Sequence, residues 1–460
     1  MNRGLYRTVT EVILTSNSDV SQMNIDDIKI EMDVSQLQSE MTALMERLYP
    51  ICRSITGNGV RDTLSILKEY IPLTIHEVPT GTDVFDWKVP KEWNIRDAYI
   101  KDSGGRRVID FKESNLHVVG YSVPVHAQMP LARIKEHIHT LPDYPEWIPY
   151  RTSYYKENWG FCMAHSEFAK LREDEYEVYI DSSLEDGHLS YGECYLEGQL
   201  EAEVLISCHV CHPSLCNDNV SGMTLVALLG RYLKSVLRRY SYRIIIIPGT
   251  IGAITWLALN EGEVHRIKHG LVVTCEGDPG HSTYKRSRRG DAEIDKAVEH
   301  VLKHSNSPYT IADFTPYGYD ERQYCSPGFN LPVGCLQRTP HGQYPEYHTS
   351  ADNLDFVRTD CLSDSFMKFL SILRVIEHNR KYISTNPKCE PQLGKRGLYS
   401  AVGGQNEKVV DQMSLLWVLN YSDGQHTLLD IAEKSGIHFD QIFIASNALI
   451  EAGLLKEHQN

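Results

Sequence analysis

Between residues 202 and 384 the chain alternates short apolar runs with longer amphipathic ones, and no other feature constrains its fold as tightly. EVLISCH, YRIIIIPG, GLVVTCEGD and LPVGCL are short, rich in β-branched residues and nearly continuous in hydrophobicity. They read as strands buried on both faces. SGMTLVALLGRYLKSVL, AITWLALNE, DAEIDKAVEHVLKH and CLSDSFMKFLSILRVIEHNRKY fall between or after them with helical periodicity. Buried strands separated by helices predict an α/β domain: a mostly parallel sheet with helices on both faces.

The flanks read differently. Residues 1–33 are polar and weakly patterned, an N-terminal extension. Residues 34–73 carry two amphipathic helices that belong with the α/β domain, which resumes at 201–385. From 74 to 200, short β-rich runs such as RRVIDF, HVVGYSV and EYEVYIDSSLEDGHLSYGECYLEG alternate with turns, which predicts an inserted β-rich domain. NPKCEPQLGKRG, at 386–397, is a polar linker. Residues 398–460 hold three further helical patterns in an order that resembles a winged helix. At roughly 100–200 residues per domain, 460 residues accommodate this division.

Composition narrows the function classes. A net charge of −15, spread along the chain, argues against nucleic acid as the main partner. From Lys408 on, the C-terminal module sets Lys408, Lys434 and Lys456 against Asp411, Asp423, Asp430, Glu433, Asp440, Glu451 and Glu457. A DNA reader needs a basic face, so packing against the rest of the chain or homo-oligomerisation, through this module or the insert, is the expected use. No signal-peptide core and no membrane-length apolar run is present. Eleven cysteines without a spacing framework read as reduced thiols, and the expected location is cytoplasmic.

The chemistry concentrates in SCHVCHPSLCNDNVSG, residues 207–222. His209 ends a strand, at the sheet edge where ligands of open α/β folds bind. His212 follows three residues later. Asp218 precedes a helix N-terminus, where a carboxylate is favoured and backbone N–H groups orient it. Histidine nitrogen with carboxylate oxygen suits zinc. A capped helix beside two ordinary histidines is the plain alternative. Cys208, Cys211 and Cys216 lack a second C-x-x-C and read as packing residues. Far downstream, His348 in YPEYHTSADNLDFV offers a further ligand, with Asp352 or Asp355 placed to hold its ring. The basic run GHSTYKRSRRGD, at 280–291, is a solvated turn or a receiver of a substrate carboxylate or phosphate.

NDNVSG and HTSADNLD, in this order and spacing, resemble the co-catalytic zinc aminopeptidases of clan MH, and GYDERQYCSPGFNLPVG resembles their serine-aspartate loop. More closely, RSITGNGVRDTL, CHPSLCNDNVSG, PGTIGAITWL, DERQYCSPGFNLPVG and YPEYHTSADNLDF are similar to a bacterial aminopeptidase-like family with a β-rich insert and a C-terminal winged helix. The likeness runs from about Val34 to Leu455. It implies a zinc-exopeptidase-like sheet and a metal carried by His209 or His212 with Asp218 and His348. It also implies zinc-dependent hydrolysis of a small peptide or amide. Two alternatives stay open: an amide hydrolase for N-acyl sugars or amino sugars, and a non-catalytic binding or scaffold protein on a peptidase fold.

One departure bears on mechanism. The clan places a Glu-Glu pair after the next strand, but residues 244–256, IIIIPGTIGAITW, hold no carboxylate. Where a metal-binding Asp ends a later strand, Cys275 stands instead, with Glu276 and Asp278 just beyond. One zinc is therefore expected, with a second left open. The general base is sought first at Glu321, then at Glu276, then at Glu346.

Overall fold

The computed structural model describes residues 33–398 and 410–458, so the expected N-terminal extension lies outside the described residues apart from Asp33. Helices α1 (Val34–Leu48) and α2 (Asn58–Leu67) form as their periodicity predicts, with Asp33 capping α1 through the N–H groups of Ser35 and Gln36. Leu37, Met41, Leu44, Met45 and Leu48 make the buried stripe of α1. Strand β1 (Thr74–Pro79) follows.

A four-stranded antiparallel sheet comes next, from β2 (Glu92–Lys101), β3 (Arg107–Asp110), β4 (Val125–Pro130) and β5 (Glu175–Glu185), in the order β3-β2-β5-β4. It has its own apolar core around Ile100, Phe161 and Val178.

The large sheet is built from β1, β6 (His188–Leu196), β7 (Leu200–His209), β8 (Tyr240–Ile247), β9 (Ile267–Val273), β10 (Ser282–Lys285), β11 (Tyr309–Ala312) and β12 (Val333–Gln337). Their order is β1-β6-β8-β7-β9-β12-β10-β11. Strands β8, β7, β9 and β12 run parallel at its centre, and β1, β6 and β10 pair antiparallel toward the edges. Thus β1 and β6, which flank the small sheet in sequence, extend the large one. The central strands are buried along most of their length, with exposure at Leu200 and Glu201 where β7 starts and at Lys268 in β9, as nearly continuous apolar runs require.

Helices α3 (Gly222–Ser235), α4 (Ile251–Leu259), α5 (Glu293–Lys303), the short α6 (Glu321–Tyr324) and α7 (Thr359–His378) connect or follow these strands. Two separate apolar clusters contain residues of opposite sheet faces: Ile206, Ile244 and Leu271 in one, Leu205, Ile245 and Val272 in the other. The sheet is therefore covered on both sides, as expected.

Strand β13 (Lys381–Ser384) leaves α7 and forms the middle of a three-stranded sheet with β14 (Asp423–Thr427) and β15 (Leu455–Glu457). With α8 (Gln412–Tyr421), α9 (Leu428–Ser435) and α10 (Phe439–Glu451) this is the winged helix. Its α9 and α10 dock on α5 and α7. Lys296 pairs with Asp430 at 3.3 Å, Arg374 pairs with Asp440, and His300 Nδ1 lies 2.5 Å from Glu433. Phe439, at the start of α10, is fully buried, and its N–H donates to His300 Nε2 at 3.0 Å. No helix among the described residues is long and apolar enough to cross a membrane.

Candidate metal centre

His209 is the last residue of β7, so its ring leaves the sheet at the carboxyl edge of the central strands. The chain then turns through Cys216–Ser221 into α3. The two asparagines of NDN fasten this turn to the strands. Asn219 Nδ2 donates to His209 O and Val273 O, each at 3.3 Å, which ties β7 to β9. Asn217 donates to Asp278 at 3.1 Å and accepts from the Gly277 N–H at 2.9 Å. Ser221 Oγ accepts from the Glu276 N–H at 3.1 Å. A Cβ at Gly222 would lie 2.3 Å from Asn219 Oδ1, so this close approach requires glycine.

Asp218 is left as the hub. Its Oδ1 lies 2.7 Å from His209 Nε2 and 3.9 Å from His212 Nδ1, and its Oδ2 lies 3.1 Å from His348 Nε2. All four residues named from the sequence therefore meet. The donor atoms of His209, His212 and Asp218 lie within 4.8 Å of one another. Asp218 and His209 are wholly buried, and the His348 side chain keeps 33% of its exposure, so the cluster opens to solvent on that side.

The electrostatics suit a cation. Burial opposes ionisation of Asp218, but the surrounding imidazoles of His212, His209 and His348 outweigh it and hold the carboxyl well below its usual range. Burial pushes His212 well below the usual imidazole value, so it is neutral and keeps a lone pair. Three imidazoles around an ionised carboxylate, with one side open, match the donor set of a catalytic zinc site.

Buried groups fix the cluster from behind. Asp352 accepts the N–H groups of Asn217 at 2.5 Å and Asp218 at 3.0 Å. It thus holds the Asp218 turn and not the His348 ring, while Asp355 is exposed. Burial is the main reason that Asp352 is pushed up to about 8. Arg53 is fully buried and donates to His212 O at 2.7 Å, Pro213 O at 3.0 Å and Leu48 O at 2.7 Å. Burial pulls it down to about 10, still charged at neutral pH.

The carboxylates sought as general base show contacts of their own. Glu321 is buried and pairs with Lys285 Nζ at 2.6 Å while accepting the Tyr319 N–H. Glu276 lies buried near Arg338, Asp278 and Lys368, and burial raises it well above the usual carboxyl range. Glu346 turns its carbonyl to Thr349. Among the described residues, the ion pairs of His209, His212 and His348 reach one carboxylate, Asp218. The basic run is consumed locally: Arg286 pairs with Glu299 and Asp313, and Arg288 and Arg289 bond Asn330.

Sequence reasoning missed three neighbours, Tyr150, Tyr319 and His341, whereas Cys275 already stood where the resemblance puts a metal-binding Asp. The Tyr150 ring stands edge-on to His212 at 5.3 Å and to His348 at 5.0 Å, and its N–H donates to His348 O. The Tyr319 ring lies 3.9 Å from that of His209. Cys275 and His341 bring ligand atoms within 4.8 Å of Asp218. The signal for Tyr319 was the missing Glu-Glu pair: a Cβ on Gly249 would lie 2.1 Å from Tyr319 Cε1, so the ring fills the space a side chain there would take.

Comparison with known proteins agrees with this architecture. Residues 42–379 match the family model described as a domain of unknown function (DUF4910), and residues 380–457 match a winged helix-turn-helix. A Clostridium acetobutylicum protein, provisionally named a polysaccharide biosynthesis protein with an aminopeptidase-like domain, is 55% identical over 422 residues. The alignment spans 92% of this chain and 97% of that one. A crystal structure from C. acetobutylicum, provisionally described as a peptidase, superposes with a TM-score of 0.90 at 53% identity, over 95% of this chain and 100% of the other. BSAP, a zinc aminopeptidase from Bacillus subtilis, superposes at 0.55 and 12% identity, over 75% and 95% of the two chains, and so shares the fold. A peptidase M28 precursor from Shewanella amazonensis gives 0.53 at 11% identity, over 76% and 97%.

Proposed function

This chain belongs to the DUF4910 family, and on that premise we propose that it is a zinc-dependent hydrolase of a peptide or amide bond. The observation that carries the reading is the convergence of His209, His212 and His348 on the two oxygens of Asp218. Zinc bound there supplies a Lewis acid for a carbonyl and acidifies water toward neutrality. Asp218 and the imidazoles provide the ligands, while Asp352 and Arg53 hold the ligand loop. Tyr150 stands beside His348 on the open side while Tyr319 packs on His209, and together they restrict the site to small substrates. Proton transfer is assigned to Glu321, which has to exchange Lys285 for water or substrate first. Lys285→Met would test this by freeing the carboxylate. The winged helix serves as a docking module: the start of α10, the end that meets base edges in DNA-bound helix-turn-helix proteins, is buried against α5.

A second reading, hydrolysis of an N-acyl sugar or amino-sugar amide, draws support from the name of the 55% identical relative, which pairs polysaccharide biosynthesis with an aminopeptidase-like domain. Zinc-loaded protein assayed on aminoacyl amides and on N-acyl amino sugars separates the two, with Asp218→Ala as the blank. Turnover of either class that vanishes in the blank supports hydrolysis. A tightly held metal without turnover of any amide sinks it and leaves a binding protein.

A further inference from the structure

We propose that a pocket in the β-rich region, lined by Tyr121 and Tyr155 and edged by the exposed rings of Trp87 and Phe85, is a saccharide subsite that holds a sugar ring of the substrate beside the metal centre. The proposal rests on the sugar-amide reading above, and it adds where the sugar sits and which side chains select it.

Three aromatic residues gather there on backbone that a side chain rarely adopts: Phe85 at φ +58°, Tyr121 at φ +69° and Tyr155 at φ +63°. Val84 pairs with Trp87, so Phe85 and Asp86 are the two central residues of a tight hairpin. The first central residue of such a turn takes positive φ, which favours glycine or asparagine. Here it is phenylalanine, 54% exposed, with Trp87 at 47% and Tyr155 at 55%. The hairpin that holds these rings out is anchored, since Val84 and Val89 are buried in one apolar cluster with Ile251 and Ile254 of α4. The Trp87 and Tyr155 rings lie 5.5 Å apart, and Phe85 stands edge-on to Phe329 at 5.8 Å. Strained backbone persists where the surroundings over-determine it, and it concentrates at functional sites. Contiguous exposed apolar surface marks places where something binds.

The pocket has a volume of about 240 Å³, and Lys91, Ser153, Lys156 and Glu157 line it beside the two tyrosines. Pockets for drug-sized ligands run to about 300–1,000 Å³, so this one suits a single ring. Aromatic contacts join it to the metal centre. Tyr121 stands edge-on to Tyr154 at 5.2 Å, the Tyr154 hydroxyl lies 3.0 Å from that of Tyr150, and Tyr150 flanks His212 and His348. The chemistry selects a sugar over an apolar side chain. An apolar side chain gains by leaving water altogether, whereas the rings of Trp87 and Tyr155 stay half in water. A pyranose is apolar on its C–H face and polar around its rim. The face stacks on the negative face of an aromatic ring. The rim hydroxyls find donors and acceptors in Lys156, Glu157 and Ser153.

Isothermal calorimetry on the metal-free full-length chain tests the proposal, with tri-N-acetylchitotriose and maltotriose as probes. Saturable binding of at least one is expected in the wild type. Trp87→Ala and Tyr155→Ala should each weaken it about five- to tenfold, the worth of one lost ring contact. Phe85→Gly, which the turn accommodates, should weaken it too. Tyr309→Ala, at an exposed ring on the edge strand β11, should leave it unchanged. No binding of either sugar overturns the proposal, as does binding that Trp87→Ala and Tyr155→Ala leave intact. A phenylalanyl dipeptide that binds through Trp87 where the sugars do not overturns the ligand class. The assay needs neither metal nor turnover, so its failure is distinct from that of the hydrolase reading. Trp87-dependent sugar binding by a chain that cleaves no amide keeps the saccharide site and sinks the hydrolase. Amide cleavage by a chain that binds neither sugar does the reverse.

Discussion

Replacing Arg53 with methionine separates two roles that a buried charge can play. Three backbone oxygens lose a donor. Leu48 O and Pro213 O keep the N–H groups of Ile51 and Leu215, so each loses about 0.5–1.5 kcal/mol. His212 O has Arg53 Nε as its hydrogen-bond donor, and losing it costs about 1–3 kcal/mol. Against this stands relief from burying the guanidinium. Burial lowers the Arg53 pKa from 12.5 to about 10, a displacement worth about 3 kcal/mol at 1.36 kcal/mol per pKa unit. The charged form is the disfavoured one in the fold, so this opposes folding at neutral pH and is removed by the substitution. The two sums nearly cancel, and the variant should fold with stability within about 2 kcal/mol of the parent. What does not cancel is the anchoring of His212. Loss of such outer support typically lowers metal affinity about 10–100-fold, or about 1.4–2.7 kcal/mol. Competition with a chromophoric chelator measures this directly. Arg53→Lys should not rescue, because one ammonium cannot span the three carbonyls. A variant that does not fold refutes the balance, and zinc affinity within threefold of wild type refutes the anchoring role.

Gly249→Ala should displace Tyr319 from the His209 ring, because the added carbon would lie 2.1 Å from Tyr319 Cε1. Reduced turnover with folding retained is expected, and unchanged kinetics would show that Tyr319 is idle. Docking of the winged helix should weaken in acid. Burial holds His300 below its ordinary 6.5, against the pull of Glu433 and with His304 and His438 opposing protonation. A depressed histidine contributes stability that is present above pH 6.5 and lost as pH falls through the lower folded value. Hydrogen exchange in α9 and α10 should therefore rise below about pH 6, and a flat profile would contradict this. Asp320 is buried with neither carboxyl oxygen hydrogen-bonded, and burial followed by repulsion from Glu321 raises it well above 3.8. A raised carboxyl contributes stability that is present below pH 3.8 and lost as pH rises. Asp320→Asn should then stabilise the protein at pH 7, the gain closing near pH 4, and denaturant midpoints at the two pH values decide it.

The central sheet was legible because strands buried on both faces must be apolar along nearly their whole length, as in Ile244–Ile247. Of the four residues that converge, His209 and Asp218 take their places from a strand end and a helix start, which are local signals, while the family resemblance joined His348 to them. The neighbours that complete the site were less legible. Tyr150 reaches His348 from a distant part of the chain through a backbone hydrogen bond. His341 approaches Asp218 and Cys275 because β9 and β12 lie side by side, whereas Cys275 itself was placed by the family resemblance. Glu321 read as the first candidate for general base, and its pairing with Lys285 was not foreseen because nothing near it in sequence announces Lys285, which meets it from a separate segment. Long-range pairing of charges has no periodicity and leaves no pattern in a single sequence.

The most direct test of the metal site is anomalous diffraction at the zinc edge from crystals of the full chain equilibrated with zinc. The account predicts a peak within bonding distance of His209, Asp218 and at least one of His212 and His348, absent in Asp218→Ala. Ordered crystals with zinc present and no anomalous density at Asp218 would contradict it.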